Sequence, residues 1–166
     1  MAAVYSLTKL AFAGKRYSDG NEQDVIEALR AAGALAVSLV ADQQGQIIGH
    51  VALSPAIAQD GSQGWYALGP ISVEPGSQRQ GIGEMLIREA MARLVALQAT
   101  GCVLIGDTRY YSRHGFVPRP DLAPPCEPAE HYMIRPLSET APETSVSFHP
   151  AFNASAAPQD APWLRE

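Results

Sequence analysis

Apolar residues recur at helical spacing in "NEQDVIEALRAAG", where Val25, Ile26 and Leu29 share one face, Asn21 stands as N-cap and Gly33 as the stop. The upstream segment from Val4 to Ala13 also reads as helical. Two extended runs, "LAVSLVA" and "IIGHVALS", flank "DQQGQ" and predict a hairpin whose loop is slightly longer than two residues. "WYALGPISV" predicts a third strand; Pro70 cannot donate a ladder hydrogen bond, so Gly69-Pro70 marks a bulge or an edge position. A long helix is predicted over 80–98, with Ile82, Leu86, Ala90, Leu94 and Leu97 as its stripe, widened by Met85, Met91 and Val95. Glu84/Arg88 and Glu89/Arg93 are spaced to pair along it. "CVLIGD" reads as a strand and "TRYYSRHG" as a short helix capped by Asp107 and ended by Gly115. The proline-rich "VPRPDLAPPCEPAE" is a loop, "HYMIRPL" a late strand and "SVSF" a last one; the tail from about Asn153 is expected to fray. There are no internal repeats.

The order is helix, hairpin, strand, helix, strand, helix, strand. Residues 65–107 have the length of a right-handed parallel crossover, so the chain predicts an α/β domain with a mixed sheet flanked by helices. Ligands of open sheets bind at the carboxyl ends of parallel strands, and the glycine-bearing segments after Val73 and Ile105 lie there.

Composition narrows the partners. The 166 residues suit one domain, and with 46% hydrophobic and 17% charged residues the chain can bury a core. A net charge of −5 supplies no basic field for nucleic acid or an anionic membrane. Cys102 and Cys126 match no disulfide framework or metal motif, which predicts two unbridged thiols in a reducing compartment and no metal. The N-terminus lacks a basic leader region, and the apolar run 31–41 is too short to cross a bilayer, which needs ~20 residues. A cytoplasmic location is expected.

The chemistry concentrates in "SVEPGSQRQGIGEML". Leu86 stands where a dinucleotide fingerprint has its third glycine. Ile82 and Gly83 replace the lysine and hydroxyl that a P-loop needs, so both phosphate motifs fail. What remains is QxxGxG, carried by Gln78, Gly81 and Gly83, between a strand ending in "ISV" and an amphipathic helix.

With these residues the chain resembles the GNAT superfamily of N-acetyltransferases, with the YhbS-like bacterial acetyltransferases as the nearest group. The likeness runs from Val4 to Leu137 and is most specific over Leu68 to Phe116. "LGPISVEPGSQRQGIGEMLIREA" is similar to that family's acetyl-CoA motif, and "GDTRYYSRHGF" resembles the segment carrying its catalytic tyrosine. The resemblance implies a mostly antiparallel sheet with a splayed parallel pair, a domain over 1–137 and a C-terminal extension over 138–166. It implies acetyl-CoA as co-substrate, with a diphosphate received by helix N-terminal amides between Arg79 and Glu84, namely those of Arg79, Gln80, Gly81, Ile82, Gly83 and Glu84, beside Gln78. Gly81 and Gly83 remove β-carbons that would hold phosphates away, and Arg79 adds a charge-assisted contact. Pantetheine amides then pair with the strand at Ile71, Ser72 and Val73, as an added strand would. Asp107 and Tyr110 complete the cofactor set; the family's usual asparagine near that point is replaced by Gly106-Asp107.

Tyr111, four residues before Gly115-Phe116, matches the family's general acid, with Tyr110 as the alternative. A phenol's pKa of ~10 against ~8.5 for a thiol makes full proton transfer to the leaving sulfur uphill by about 2 kcal/mol, so a strong hydrogen bond carries the role. Glu74 is the nearest acid that could take the amine's proton, and His50 reads as a structural histidine. A dedicated base is dispensable for an amine of pKa ~8, which is ~10% neutral at pH 7.

The expected acceptor is a small-molecule or peptide amine. The alternative is an acyl-CoA-binding sensor or partner module without turnover. One departure concerns the fold, because the family usually begins with a strand beside "LAVSLVA" and this chain begins at its first helix. That edge is then open, or covered by another segment or a second subunit in a homodimer; a start read too far downstream accounts for it equally.

Overall fold

The computed structural model describes residues 2–154. Helices α1 (Ala2–Phe12) and α2 (Glu22–Ala31) precede strands β1 (Val37–Gln43), β2 (Gln46–Pro55), β3 (Ile57–Ala58) and β4 (Trp65–Val73). Helix α3 (Ile82–Ala96), β5 (Gly101–Ile105), the short helix α4 (Thr108–Ser112), β6 (Val117–Pro118), β7 (Tyr132–Pro136) and β8 (Val146–Ser147) follow. Six strands form one sheet in the order β1-β2-β4-β5-β7-β6, and β3 pairs with β8. Only β4 and β5 run parallel within the larger sheet. The mixed, mostly antiparallel sheet is therefore present, with β1 at one edge.

The hairpin differs from expectation. Gln44 and Gly45, both at positive φ (54° and 85°), form a two-residue turn between the paired Gln43 and Gln46. That conformation matches the twist of a tight hairpin, and the Asp42 carboxylate accepts from the Gly45 amide at 2.9 Å. Asn21 occupies the N-cap position without capping by its side chain. Its amide instead donates to the Ala154 carbonyl at 2.7 Å, a partner far along the chain.

Helix α3 packs through Leu86, Ile87, Ala90, Met91 and Leu94, all buried, against Val51, Leu53, Leu68, Leu104 and Met133 of the sheet. The predicted stripe was set too far to one side. At ~100° per residue its centre falls between Leu86 and Ile87, which puts Met85 on the far side of the helix; Met85, Val95 and Leu97 are exposed. Each large buried side chain contributes about 1.5–3 kcal/mol. Glu89 and Arg93 form the expected pair at 3.1 Å, whereas Glu84 and Arg88 do not pair. Gly49 lets the first turn of α3 sit on β2: a β-carbon there would fall 2.9 Å from Leu86 Cδ1 and 3.0 Å from Ile82 Cγ2.

Helix α1 covers the opposite face, where Thr8 Oγ1 meets Ser72 Oγ at 3.3 Å. Ser72 lies across from His50 on β2, and His50, also fully buried, bonds Ser38 Oγ through Nε2 at 2.9 Å. A second cluster of Trp65, Val103, Tyr132, Ile134 and Val146 closes the lower part of the sheet, with the Tyr132 hydroxyl donating to the Val146 carbonyl at 2.9 Å. Residues 138–154 run back over this cluster; the fraying expected of the tail falls almost wholly outside the described residues. Cys102 is buried, Cys126 exposed, and both are free. Among the described residues no helix is long and apolar enough to cross a membrane.

Candidate active site

The parallel pairing of β4 and β5 covers only Trp65–Gly101, Tyr66–Cys102 and Ala67–Val103, after which β4 continues to Val73 and β5 to Ile105 unpaired with one another. The break coincides with the glycine-proline step. Between the pairs Val51–Ile71 and Leu53–Leu68, Gly69 and Pro70 of β4 face the single residue Ala52 of β2. This is a β-bulge in an interior strand, one of the few places a sheet accepts proline, and it bends β4 from its neighbour.

Beyond the bulge the antiparallel ladder decides which groups face the gap. Glu74 N donates to Ile48 O at 2.8 Å, so Glu74–Ile48 and Ser72–His50 are the hydrogen-bonded pairs. The main-chain groups of Ile71 and Val73 then point away from β2, toward the gap. Ser72 does not: its backbone faces β2 and its side chain is buried on Thr8. Of the three predicted strand contacts, two have the required orientation.

The loop into α3 is braced from within. Gln78 Nε2 donates to Val73 O at 3.1 Å and Gln80 Nε2 to Gly76 O at 3.3 Å, so both glutamine amides are committed to loop carbonyls. Ser77 Oγ donates to the Glu74 carboxylate at 2.6 Å, which holds the predicted base in its own turn. Arg79 (φ 61°) and Gly81 (φ 84°) are both left-handed, and Gly81 is the N-cap residue of α3. The first intrahelical bond runs from Met85 N to Gly81 O. No described protein group accepts from the main-chain nitrogens of Arg79 to Glu84. Six consecutive donors at a helix start form a site with the chemistry to receive a diphosphate.

Helix α4 closes the other side. The Asp107 carboxylate accepts from Arg109 N (2.8 Å) and Tyr110 N (3.4 Å), so Asp107 caps the helix as expected and its carboxylate is spent there. Tyr111 lies against Gly106 at the end of β5; a β-carbon at Gly106 would overlap its ring, with Cδ2 at 2.8 Å. Tyr110 and Phe116 meet Tyr111 edge-on at centroid distances of 5.0 and 6.1 Å. Burial, then the neighbouring Tyr110, pushes the Tyr111 phenol above the usual tyrosine range. Burial also raises Tyr110. His50 sits on the other face of the sheet, held down to about 4 by burial and then by Arg30, and serves as a neutral structural group.

Gly49, and the packing role of Gly106, are positions whose importance to the site sequence reasoning passed over. Each sits where a side chain would collide, with α3 and with Tyr111, and a glycine in a strand or at its end was the available signal.

A sheet whose parallel pair parts at a bulge, main-chain amides without protein acceptors at the mouth of a helix and a tyrosine packed on the end of β5 define an α/β domain with the chemistry to receive an anionic ligand beside a free strand edge. Residues 35–118, about half the chain, match the family described as Acetyltransferase (GNAT) domain, and the chain belongs to that family. Over 103 residues it is 33% identical to the protein of Escherichia coli K12 described as the uncharacterized N-acetyltransferase YhbS, covering 61% of this chain and 62% of that protein. The chain thus spans about three fifths of the length of the curated relatives it matches. A GNAT family acetyltransferase from Brucella melitensis, solved in complex with acetyl-CoA, superposes with a TM-score of 0.80 at 40% identity over 91% of this chain and 90% of that one. The E. coli YhbS structure in complex with CoA superposes with a TM-score of 0.82 at 26% identity, covering 92% and 86%.

Proposed function

We propose that the protein transfers the acetyl group of acetyl-CoA to a primary amine by direct attack in a ternary complex. The carrying observation is the row of main-chain N–H groups from Arg79 to Glu84, without protein acceptors, next to the unpaired edge of β4. Hydrogen bonds from such donors to a charged group contribute about 1.5–3 kcal/mol each, and no lysine is needed. The complexes of the Brucella and E. coli relatives with acetyl-CoA and CoA support the same reading.

Acetyl-CoA supplies the activated acetyl group as a thioester. Ile71 through its main-chain N–H and carbonyl, and Val73 through its N–H, would present the edge of β4 to the pantetheine amides and align the thioester along it, the Val73 carbonyl being held by Gln78. Tyr111 stands over the gap as a neutral hydrogen-bond donor. Because burial moves its pKa further from that of a thiol, transfer of its proton is uphill by more than about 2 kcal/mol, and its contribution is a hydrogen bond to the departing sulfur. The Glu74 carboxylate is engaged by Ser77, which favours an acceptor of ordinary α-amine basicity that reaches its neutral form without a dedicated base.

The test is amine-dependent release of free thiol from acetyl-CoA across a panel of primary amines and peptides. Turnover with at least one amine, lost largely in Tyr111→Phe, is the expected result. Tight acetyl-CoA binding with no release from any amine would instead establish a sensor or partner module.

A further inference from the structure

A groove of about 510 Å³ runs between α3 and α4, lined by Glu84, Arg88, Met91, Arg113, His114 and Arg135 among others. Three guanidinium groups converge on it in a chain whose net charge is −5. Among the described residues none of the three forms an ion pair. Arg135 Nη1 donates to the His114 carbonyl at 2.8 Å, and Arg113 lies over the Tyr110 ring at 5.1 Å. His114 Nε2 is buried without a hydrogen-bond partner, a costly state for a ring nitrogen. Glu84 is the one carboxylate on the groove, so three cations face a single anion.

The groove adjoins the diphosphate loop. It opens at Glu84, in the first turn of α3, and Tyr110, which carries Arg113 on its face, places its hydroxyl beside Gly83. Coenzyme A carries, besides its diphosphate, a separate phosphomonoester on the ribose, a dianion of the kind that clustered arginines bind.

Resting on the acetyl-CoA reading above, we propose that Arg88, Arg113 and Arg135, with His114, bind the 3′-phosphate of the coenzyme and make this groove the determinant of selectivity for it. Arg113 is held for this contact by Tyr110 and Arg135 by the His114 carbonyl, so their guanidinium groups lose little freedom when the phosphate arrives.

Calorimetric titration of the full chain with coenzyme A and with 3′-dephospho-coenzyme A tests the proposal. Coenzyme A is expected to bind at least about tenfold tighter. That gap closes in the double variant Arg88→Gln/Arg113→Gln, whose affinity for the dephospho compound stays that of the unaltered chain, and it narrows in about 0.5 M salt. Equal affinity of the unaltered chain for both compounds overturns the inference and leaves the diphosphate site standing. A double variant weakened equally toward both compounds also overturns it. If neither compound binds, the acetyl-CoA reading falls and takes this one with it.

Discussion

The hydroxyl of Tyr110 stands over Gly83, so close that a β-carbon built on Gly83 falls 3.1 Å from it. Helix α4 and the start of α3 thereby share a border at which only glycine leaves the main chain accessible. Gly83→Val pushes Tyr110 aside and covers the amides beneath. The affinity for acetyl-CoA is expected to fall about 10- to 100-fold, since one or two charge-assisted bonds are lost, while the fold persists. Calorimetry alongside a melting curve separates the two effects.

Tyr111→Phe removes the phenol hydroxyl without altering the ring's packing on Phe116 and Tyr110. The turnover number should drop about 10²-fold or more with acetyl-CoA binding little changed. Because burial raises the phenol, the group remains protonated through neutral and mildly alkaline pH, so turnover by the unaltered chain should show no alkaline limb from this residue below about pH 10. A limb near pH 8 that vanished in the variant would assign Tyr111 a lowered pKa and contradict its role as neutral donor.

Gly106→Ala addresses the same tyrosine from below. Its methyl overlaps the Tyr111 ring, and overpacking of this kind costs about 1–3 kcal/mol. The displaced phenol should reduce turnover more than it raises the KM for acetyl-CoA. Equal losses in both would place the damage in the cofactor loop instead.

His50 makes stability depend on pH. Its folded pKa is about 4 against an ordinary 6.5, so the unfolded chain binds the extra proton between those values and stability is lost as pH falls through this window. Between pH 7 and pH 5 this amounts to about 2 kcal/mol. Urea unfolding at both pH values should show the loss, and His50→Gln should remove most of it.

Much of the architecture was legible because its signals are local. The strand "WYALGPISV" is recovered end to end, and Gly69-Pro70 disclosed the bulge because proline in a central strand has few other homes. The errors arose where distant partners decide. Asn21 was read as a capping side chain, but its amide goes to Ala154, and no pattern within the helix reveals that. The face of α3 was misplaced because its row of residues four apart drifts around the helix, leaving Ile87 outside the predicted stripe. In the site, the glycines and tyrosines were singled out by their resemblance to the GNAT motifs, since the spacing of Gly81 and Gly83 alone carries no assignment. The orientation that separates Ile71 and Val73 from Ser72 depends on the register of β4 against β2, which only the folded sheet provides. The arginine groove was invisible for the same reason, since Arg88, Arg113 and Arg135 sit on three different elements.

The backbone amides of residues 79–84 offer the most direct view of the coenzyme site. In an isotope-labelled sample titrated with acetyl-CoA, these signals, together with Ile71 and Val73, should shift and saturate at one equivalent. Saturation of binding with those amides unmoved, or a titration in which no signal responds, would contradict the placement of the diphosphate at the head of α3.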